Sequence, residues 1–339
     1  MLYRESGIAG IKVSAVGFGV WTVGTQMWGI KDDQTGISLL QQAYDLGITF
    51  YDTADVYGDG RGEEMVATAL GSQRDHIVIG TKFGYDFYQY PGIQPGQRER
   101  PQNWSPEYVR IACERSLKRL QTDRIDLYQL HNPRIGEIQR DDLFAVLEDL
   151  RSEGKIRAYG AALGPALQER QKEEGIEYIE RRPGTVQIIY NLFEQMLGEA
   201  IFPIARKHKA AIYVRVPHSS GLLEGQYTSD TDFDANDHRR HRVVTDERRK
   251  SWLLDGLKKV EKLQFLTQNM GRTLGQVAIQ FVLAESAVSS VLPNIYDPTQ
   301  LREFAAATEA EPLTTAEINE VNRLYERNFD IATELAPVQ

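Results

Sequence analysis

Residues 124–161 read RIDLYQLHNPRIGEIQRDDLFAVLEDLRSEGKIRAYGA. An apolar run opens the stretch at 124–130 and a second closes it at 156–161. Between them Leu143, Val146, Leu147 and Leu150 recur at the spacing of one helix face. A strand, a helix and a second strand over this length make a parallel βαβ unit, because parallel strands need a long crossover. The pattern extends in both directions. Further β-branched or aromatic runs fall at 13–18, 48–52, 77–81, 185–190, 211–216 and 288–292. Helical spacing returns at Val109, Ala112, Cys113, Ser116, Leu117 and Leu120, and again at Val277, Phe281 and Val282. Eight such units predict an α/β protein, a closed (β/α)₈ TIM barrel rather than an open sheet. Such barrels use roughly 250 residues, and more with insertions. The 339 residues contain no Pro-, Gly- or Ser-rich linker, so one domain over 1–339 is expected. Two stretches break the alternation: 84–104, with three prolines, and the highly charged 226–249. Both read as long active-site loops, the second equally as a solvated surface insertion.

Composition narrows the function. Thirty-nine Lys and Arg against 48 Asp and Glu give a net charge of −9. That balance argues against a duplex nucleic-acid partner, which would favour a basic stripe. Cys113 is the single cysteine, so no intrachain disulfide and no cysteine-rich metal site is expected. The start lacks an apolar core behind a basic end, and no stretch of 18 apolar residues occurs. A soluble, cytoplasmic chain is the expectation, with no membrane partner.

In a (β/α)₈ barrel the chemistry sits at the C-terminal ends of the strands. The second run ends in Asp52, followed by Asp55 and Tyr57; the third ends in Thr81 and Lys82; the fourth ends in His131 and Asn132. Each alone has a plain reading: a turn cap for Asp52, a solvated lysine, a loop histidine. Together they would converge on one mouth.

The segments FYDTADVYG (50–58), GTKFG (80–84) and DLYQLHNP (126–133) resemble, in the right order, the signature stretches of the aldo-keto reductases. GKIRAYGA (154–161), QIIYN (187–191), SGLLEGQY (220–227) and the closing LP-x₄-P-x-Q (292–300) extend the resemblance over nearly the whole chain. It implies an NAD(P)-dependent oxidoreductase acting on a small carbonyl or alcohol, with a tetrad of Asp52, Tyr57, Lys82 and His131. A carbonyl that receives hydride needs a proton on its oxygen. Tyr57 would supply it. A free tyrosine titrates near pH ~10, and a Lys82 ammonium beside it would favour the phenolate. Asp52 would hold Lys82, and His131 would orient the carbonyl.

The resemblance also implies a nicotinamide pocket from Gly19, Val20, Trp21, Gln187 and Arg215. The rest of the dinucleotide would lie along Ser220, Leu222, Asn294, Asp297, Gln300 and Glu303. Several positions depart from the family pattern. Its Ser-Asn pair, which holds the carboxamide, is Ala162-Leu163 here, and its stacking aromatic residue is Arg215. Arg215 could stack on the ring, pair with an acidic substrate, or sit in a buried ion pair. The family's NADP users often carry a cation before the last-loop proline and another after SGLL-x-G. Here these positions are Asp297 and Gln226, and Phe304 replaces an asparagine near the adenine. NADP follows from the resemblance, while Asp297 and Gln226 suggest NAD. Trp21, Tyr85 and Trp104 are the candidate substrate wall. His208, His218, His238 and His241 form no metal motif. A second reading is a nucleotide-binding regulatory protein on the same fold, like the potassium-channel β subunits that resemble this family. Substrate, direction and oligomeric state are open at this stage.

Overall fold

The computed structural model describes residues 1–25, 27–28, 30, 32–92, 94, 99–164, 168–182, 184–235, 237–241, 246–268 and 270–332. Two short strands, β1 (Tyr3–Glu5) and β2 (Lys12–Ser14), pair antiparallel as a hairpin. Eight strands then form one parallel sheet in chain order: β3 (Phe18–Gly19), β4 (Phe50–Asp52), β5 (Val78–Phe83), β6 (Ile125–His131), β7 (Ile156–Ala162), β8 (Thr185–Ile189), β9 (Ala211–Arg215) and β10 (Val288–Leu292). Backbone bonds from Gly17 N to Val291 O and from Val291 N to Ala15 O, both 2.8 Å, bring the last strand onto the first. The sheet is therefore a (β/α)₈ barrel. A helix follows each of its strands: after β3 the short Trp21–Gly24 leads on to Asp33–Asp45, and the last strand is followed by Pro298–Ala305.

The first apolar run divides where one strand was expected. Lys12–Ser14 belongs to the hairpin and Phe18–Gly19 to the barrel, with Val16 between them bridging Val291 of β10. Gly17 makes the passage between them possible. A Cβ there would meet Leu292, Ser290 and Phe50 at 2.9–3.0 Å. The hairpin has a packing role. Its Ile8 and Val13 join Phe50, Val78, Leu127, Ala211, Tyr213 and Leu292 in one buried apolar cluster. The N-terminal half of the barrel is thus filled, and the Tyr213 hydroxyl donates to Ser6 O at 2.7 Å to fasten the plug. Each fully buried side chain of this kind contributes about 1.5–3 kcal/mol. Polar residues facing the interior are left to the C-terminal end.

Of the two long stretches, 84–104 does run over that end. Tyr85 bridges Gln102, and the Gln102 amide donates to His131 O at 2.9 Å. The stretch 226–249 is not loop throughout. It contains the short helix His238–His241, and its end lies inside the 17-residue helix Asp246–Lys262. The dense charges of 246–250 are the polar start of a helix whose Leu253 and Gly256 are buried. Residues 93, 95–98, 236 and 242–245 of the two stretches lie outside the described residues. No described helix is long and apolar enough to cross a membrane.

Candidate active site

Asp52 ends β4, Lys82 is the penultimate residue of β5 and His131 ends β6, so three neighbouring strands deliver them to one mouth. Tyr57 follows β4 in the turn that leads into the helix Arg61–Leu70. Lys82 is 1% exposed, which removes the reading of a solvated loop lysine. Its ammonium donates to Asp52 Oδ1 at 2.5 Å, to Thr53 O at 2.7 Å and to the Tyr57 hydroxyl oxygen at 3.3 Å. All three lysine protons are thereby used. Burial opposes the charge of Lys82, but Asp52 and Tyr57 outweigh it and hold its pKa above the ordinary lysine value.

The other oxygen of Asp52 accepts from Gln129 at 2.9 Å and from Gln187 at 3.0 Å. This carboxylate accepts three hydrogen bonds from the protein. It fixes the lysine and is not available as a base. Tyr57 is placed differently. Its oxygen accepts from Lys82, which leaves its own O–H free to donate into the mouth. His131 packs edge-on to Tyr57 and to Tyr85, at centroid distances of 5.9 and 4.9 Å. Burial, with the charges of Lys82 and Arg215, pushes its pKa well below the usual histidine value. His131 is a neutral imidazole at pH 7, and such a ring donates one hydrogen bond.

Two adjoining cavities open on these groups. The inner holds about 300 Å³ and is lined by Gly19, Gln187, Arg215 and Asn294 among others. The outer holds about 510 Å³ and is lined by Tyr85, Asp59, Arg61 and Arg100 among others. Trp21, Tyr57, His131 and Asn132 line both. A small ligand in each cavity would meet beside Tyr57 and His131.

The remaining expected residues are distributed unevenly. Val20 is fully buried and its N–H donates to Asp52 O at 2.9 Å, so it supports the site from beneath. Tyr85 faces the outer cavity, where its hydroxyl accepts from the Asn132 amide at 2.7 Å and donates to Glu99. Trp104 lines neither cavity. It packs edge-on against Phe83 and covers Gly84, whose left-handed backbone (φ 129°) leaves room for the indole. It is core, not substrate wall. Ser220 and Leu222 are buried in the tight turn Ser219–Glu224 and also line neither cavity. Among the described residues no carboxylate pairs with Arg215, so its buried ion-pair reading is not met. The guanidinium instead donates to Leu163 O at 2.7 Å.

Asp297, Gln300 and Glu303 lie together at the helix Pro298–Ala305, the first and last of them acidic. Asp297 caps the helix Pro298–Ala305, accepting from Thr299 N at 2.7 Å and Gln300 N at 3.0 Å. Glu303 accepts from the Thr273 hydroxyl. The Gln300 amide donates to the buried Glu224 at 2.9 Å, and the Tyr296 hydroxyl does so at 2.6 Å. Phe304 stacks on His218 at 4.2 Å. Burial pushes the Glu224 carboxyl up to about 7. A carboxyl raised in the folded state keeps its full stability below its unfolded pKa and loses it as pH rises through the folded value. Glu224→Gln keeps an acceptor without the charge. It is expected to leave Tm little changed at pH 4.5 and to raise it at pH 8, as read by thermal melts at both pH values.

Sequence reasoning did not single out Gln129, Glu99 or Arg134. Gln129 carries a signal: it lies two residues before His131 on β6, and alternate residues share a face. Glu99 and Arg134 pair at 2.8 Å and tie the 84–104 loop to the segment after β6, a contact no local pattern encodes.

The sequence profile of the Aldo/keto reductase family matches residues 15–326. The chain belongs to this family. Relatives fit the assignment. An NADH-specific methylglyoxal reductase of Escherichia coli (strain K12) is 31% identical over 308 residues, 89% of this chain and 91% of that one. A probable voltage-gated potassium channel subunit beta of Arabidopsis thaliana is 29% identical, covering 93% of each. The solved glycerol dehydrogenase of Gluconobacter oxydans superposes with a TM-score of 0.81 at 27% identity over 99% of both chains. The aldo/keto reductases are oxidoreductases that bind NAD(P)H.

Proposed function

We propose that this protein transfers hydride between a nicotinamide dinucleotide and a small aldehyde, ketone or corresponding alcohol, with Tyr57 as general acid in reduction and base in oxidation. The observation that carries the proposal is the buried chain from Asp52 through Lys82 to the Tyr57 hydroxyl, with neutral His131 beside it. The bound dinucleotide supplies the hydride; the protein supplies position and charge. Tyr57 gives its proton to the carbonyl oxygen, and the phenolate left behind faces the Lys82 ammonium, which is 5.0 Å from the ring centre and 3.3 Å from the oxygen. Asp52 keeps Lys82 charged. His131 donates to the same carbonyl oxygen and fixes its lone pair toward Tyr57. A regulatory, non-catalytic role gains no support from such a site, because the packing of Lys82 between Asp52 and Tyr57 serves proton transfer.

The inner cavity fits a nicotinamide. Gly19 offers an open floor, where a Cβ would approach Pro293 O and Leu292 at 3.4 and 3.9 Å, and the amides of Gln187 and Asn294 border it. The adenosine end favours NAD(H) over NADP(H). A helix N-terminus is a ready anion site, but at Pro298–Ala305 this chain's own Asp297 already accepts from its N–H groups. Glu303 adds negative charge nearby, and Glu224, raised to about 7, adds a partial one at neutral pH. A 2′-phosphate would meet this acidic group. The NADH-specific relative is consistent with that choice. Titration of tryptophan fluorescence with the two reduced dinucleotides tests the reading. NADH is expected to bind roughly tenfold tighter, the scale of one to two kcal/mol of charge repulsion; tighter NADPH binding overturns it.

A further inference from the structure

Apart from the titratable ring of His238, Arg215 is the charged side chain among the described residues of the inner cavity that the proton-transfer chain does not use. Asp52 and Lys82 neutralise each other, and burial keeps His131 uncharged. Arg215 therefore adds an unneutralised positive charge to the cavity at pH 7, since arginine stays protonated. The guanidinium has five N–H groups, and among the described residues its hydrogen bond is to Leu163 O. No carboxylate among the described residues forms an ion pair with it. Burial works against its charge and lowers its pKa from the ordinary arginine value. A charge withdrawn from water without a counter-charge is costly.

The fold makes room for this charge. Gly164, just after β7, is the neighbour: a Cβ there would lie 2.7 Å from Arg215 Nη2 and 2.6 Å from Asn132 Oδ1. The guanidinium thus reaches the side of the mouth where Asn132 borders both cavities. Tyr57 is its strongest favourable charge partner, and it is itself among the charges acting on His131. An anion held by Arg215 would sit next to a carbonyl bound by those two residues.

We propose that Arg215 is an anion receptor, and that the preferred carbonyl substrate carries a carboxylate or phosphate a bond or two from the reacting carbon, as a 2-oxo acid does. A planar guanidinium takes a carboxylate in two parallel hydrogen bonds, so the contact would fix orientation as well as supply affinity. This inference rests on the carbonyl-reductase reading above.

The test compares glyoxylate with methylglyoxal, anionic and neutral small aldehydes, as substrates with NADH. In parallel, the thermal shift given by oxamate, an unreactive anion, is measured on the NADH complex. The wild-type protein is expected to prefer glyoxylate in kcat/KM. In Arg215→Met the glyoxylate-to-methylglyoxal ratio is expected to fall by about 100-fold, mainly through KM, whatever happens to the common rate. The oxamate shift should vanish. Arg215→Lys, which keeps the charge and loses the fork, should fall between and guards against misfolding of the Met variant. An unchanged ratio with an unchanged oxamate shift overturns the inference. So does a loss of NADH affinity in Arg215→Met with the oxamate shift intact, since the guanidinium would then serve the dinucleotide's own phosphates. If wild-type protein reduces neutral aldehydes in a Tyr57-dependent way yet ignores oxamate, the inference alone fails. If it neither binds NADH nor reduces either aldehyde, the underlying reading fails.

Discussion

Tyr57→Phe is expected to lower kcat/KM for aldehyde reduction by about 10²–10⁴-fold, the range a positioned general acid contributes. The variant removes one oxygen. Among the described residues that oxygen's hydrogen bond is the 3.3 Å one from Lys82, and Lys82 retains Asp52 and Thr53 O without it. Folding should therefore be preserved, and the melting temperature should move little. The Kd for NADH should stay within about twofold, because the dinucleotide is assigned to groups other than the phenol. The rate loss should appear in kcat as well as in kcat/KM, since proton donation is made only in the transition state. Steady-state kinetics with one aldehyde, together with an NADH titration, check all of this. A full-rate Phe variant would mean that another group delivers the proton.

Lys82→Met should produce the larger effect on stability. Asp52 is 4% exposed, and its ion pair is with Lys82. Without the ammonium, Oδ2 still accepts from Gln129 and Gln187, but the carboxylate has lost its ion-pair partner. Breaking a buried pair from one side costs about 3–5 kcal/mol. Urea denaturation is expected to show a loss of that size, and turnover should fall with it because the phenolate loses its cation. Asp52→Asn in the Lys82→Met background should restore much of the stability and none of the activity. That split separates the structural part of the pair from its chemical part. If the single variant is as stable as the wild-type protein, the charge description of the site is wrong.

The barrel could be read from the sequence because its signal is periodic. Each β-branched run at 48–52, 77–81, 124–130, 156–161, 185–190, 211–216 and 288–292 contains or overlaps a barrel strand. The run 13–18 also reaches a barrel strand at Phe18, but its start lies in the hairpin, because a hairpin residue and a barrel residue look alike in a run of apolar letters. Only the contact of Gly17 with β10 separates them. Asp52, Lys82 and His131 could be placed because a strand end is a position in the sequence. Trp104 could not, since an aromatic residue in a loop reads the same whether it faces a cavity or covers Gly84. The end of 226–249 was hidden by charge: DERRK opens a helix, yet its composition matches that of a solvated loop. Glu99–Arg134 and Glu224–Gln300 join residues distant in sequence, and such pairs appear only once the chain is folded. The acidic character of Asp297 was visible, whereas its use as a helix cap depended on the backbone around it.

The central claim is hydride transfer at the meeting point of the two cavities. Its most direct measurement is the mass of the alcohol formed from an aldehyde with NADH dideuterated at nicotinamide C4. One deuterium on the carbinol carbon of the product, with the yield collapsing in Tyr57→Phe, is the predicted result. An enzyme that binds NADH but delivers no deuterium to any aldehyde would contradict the account.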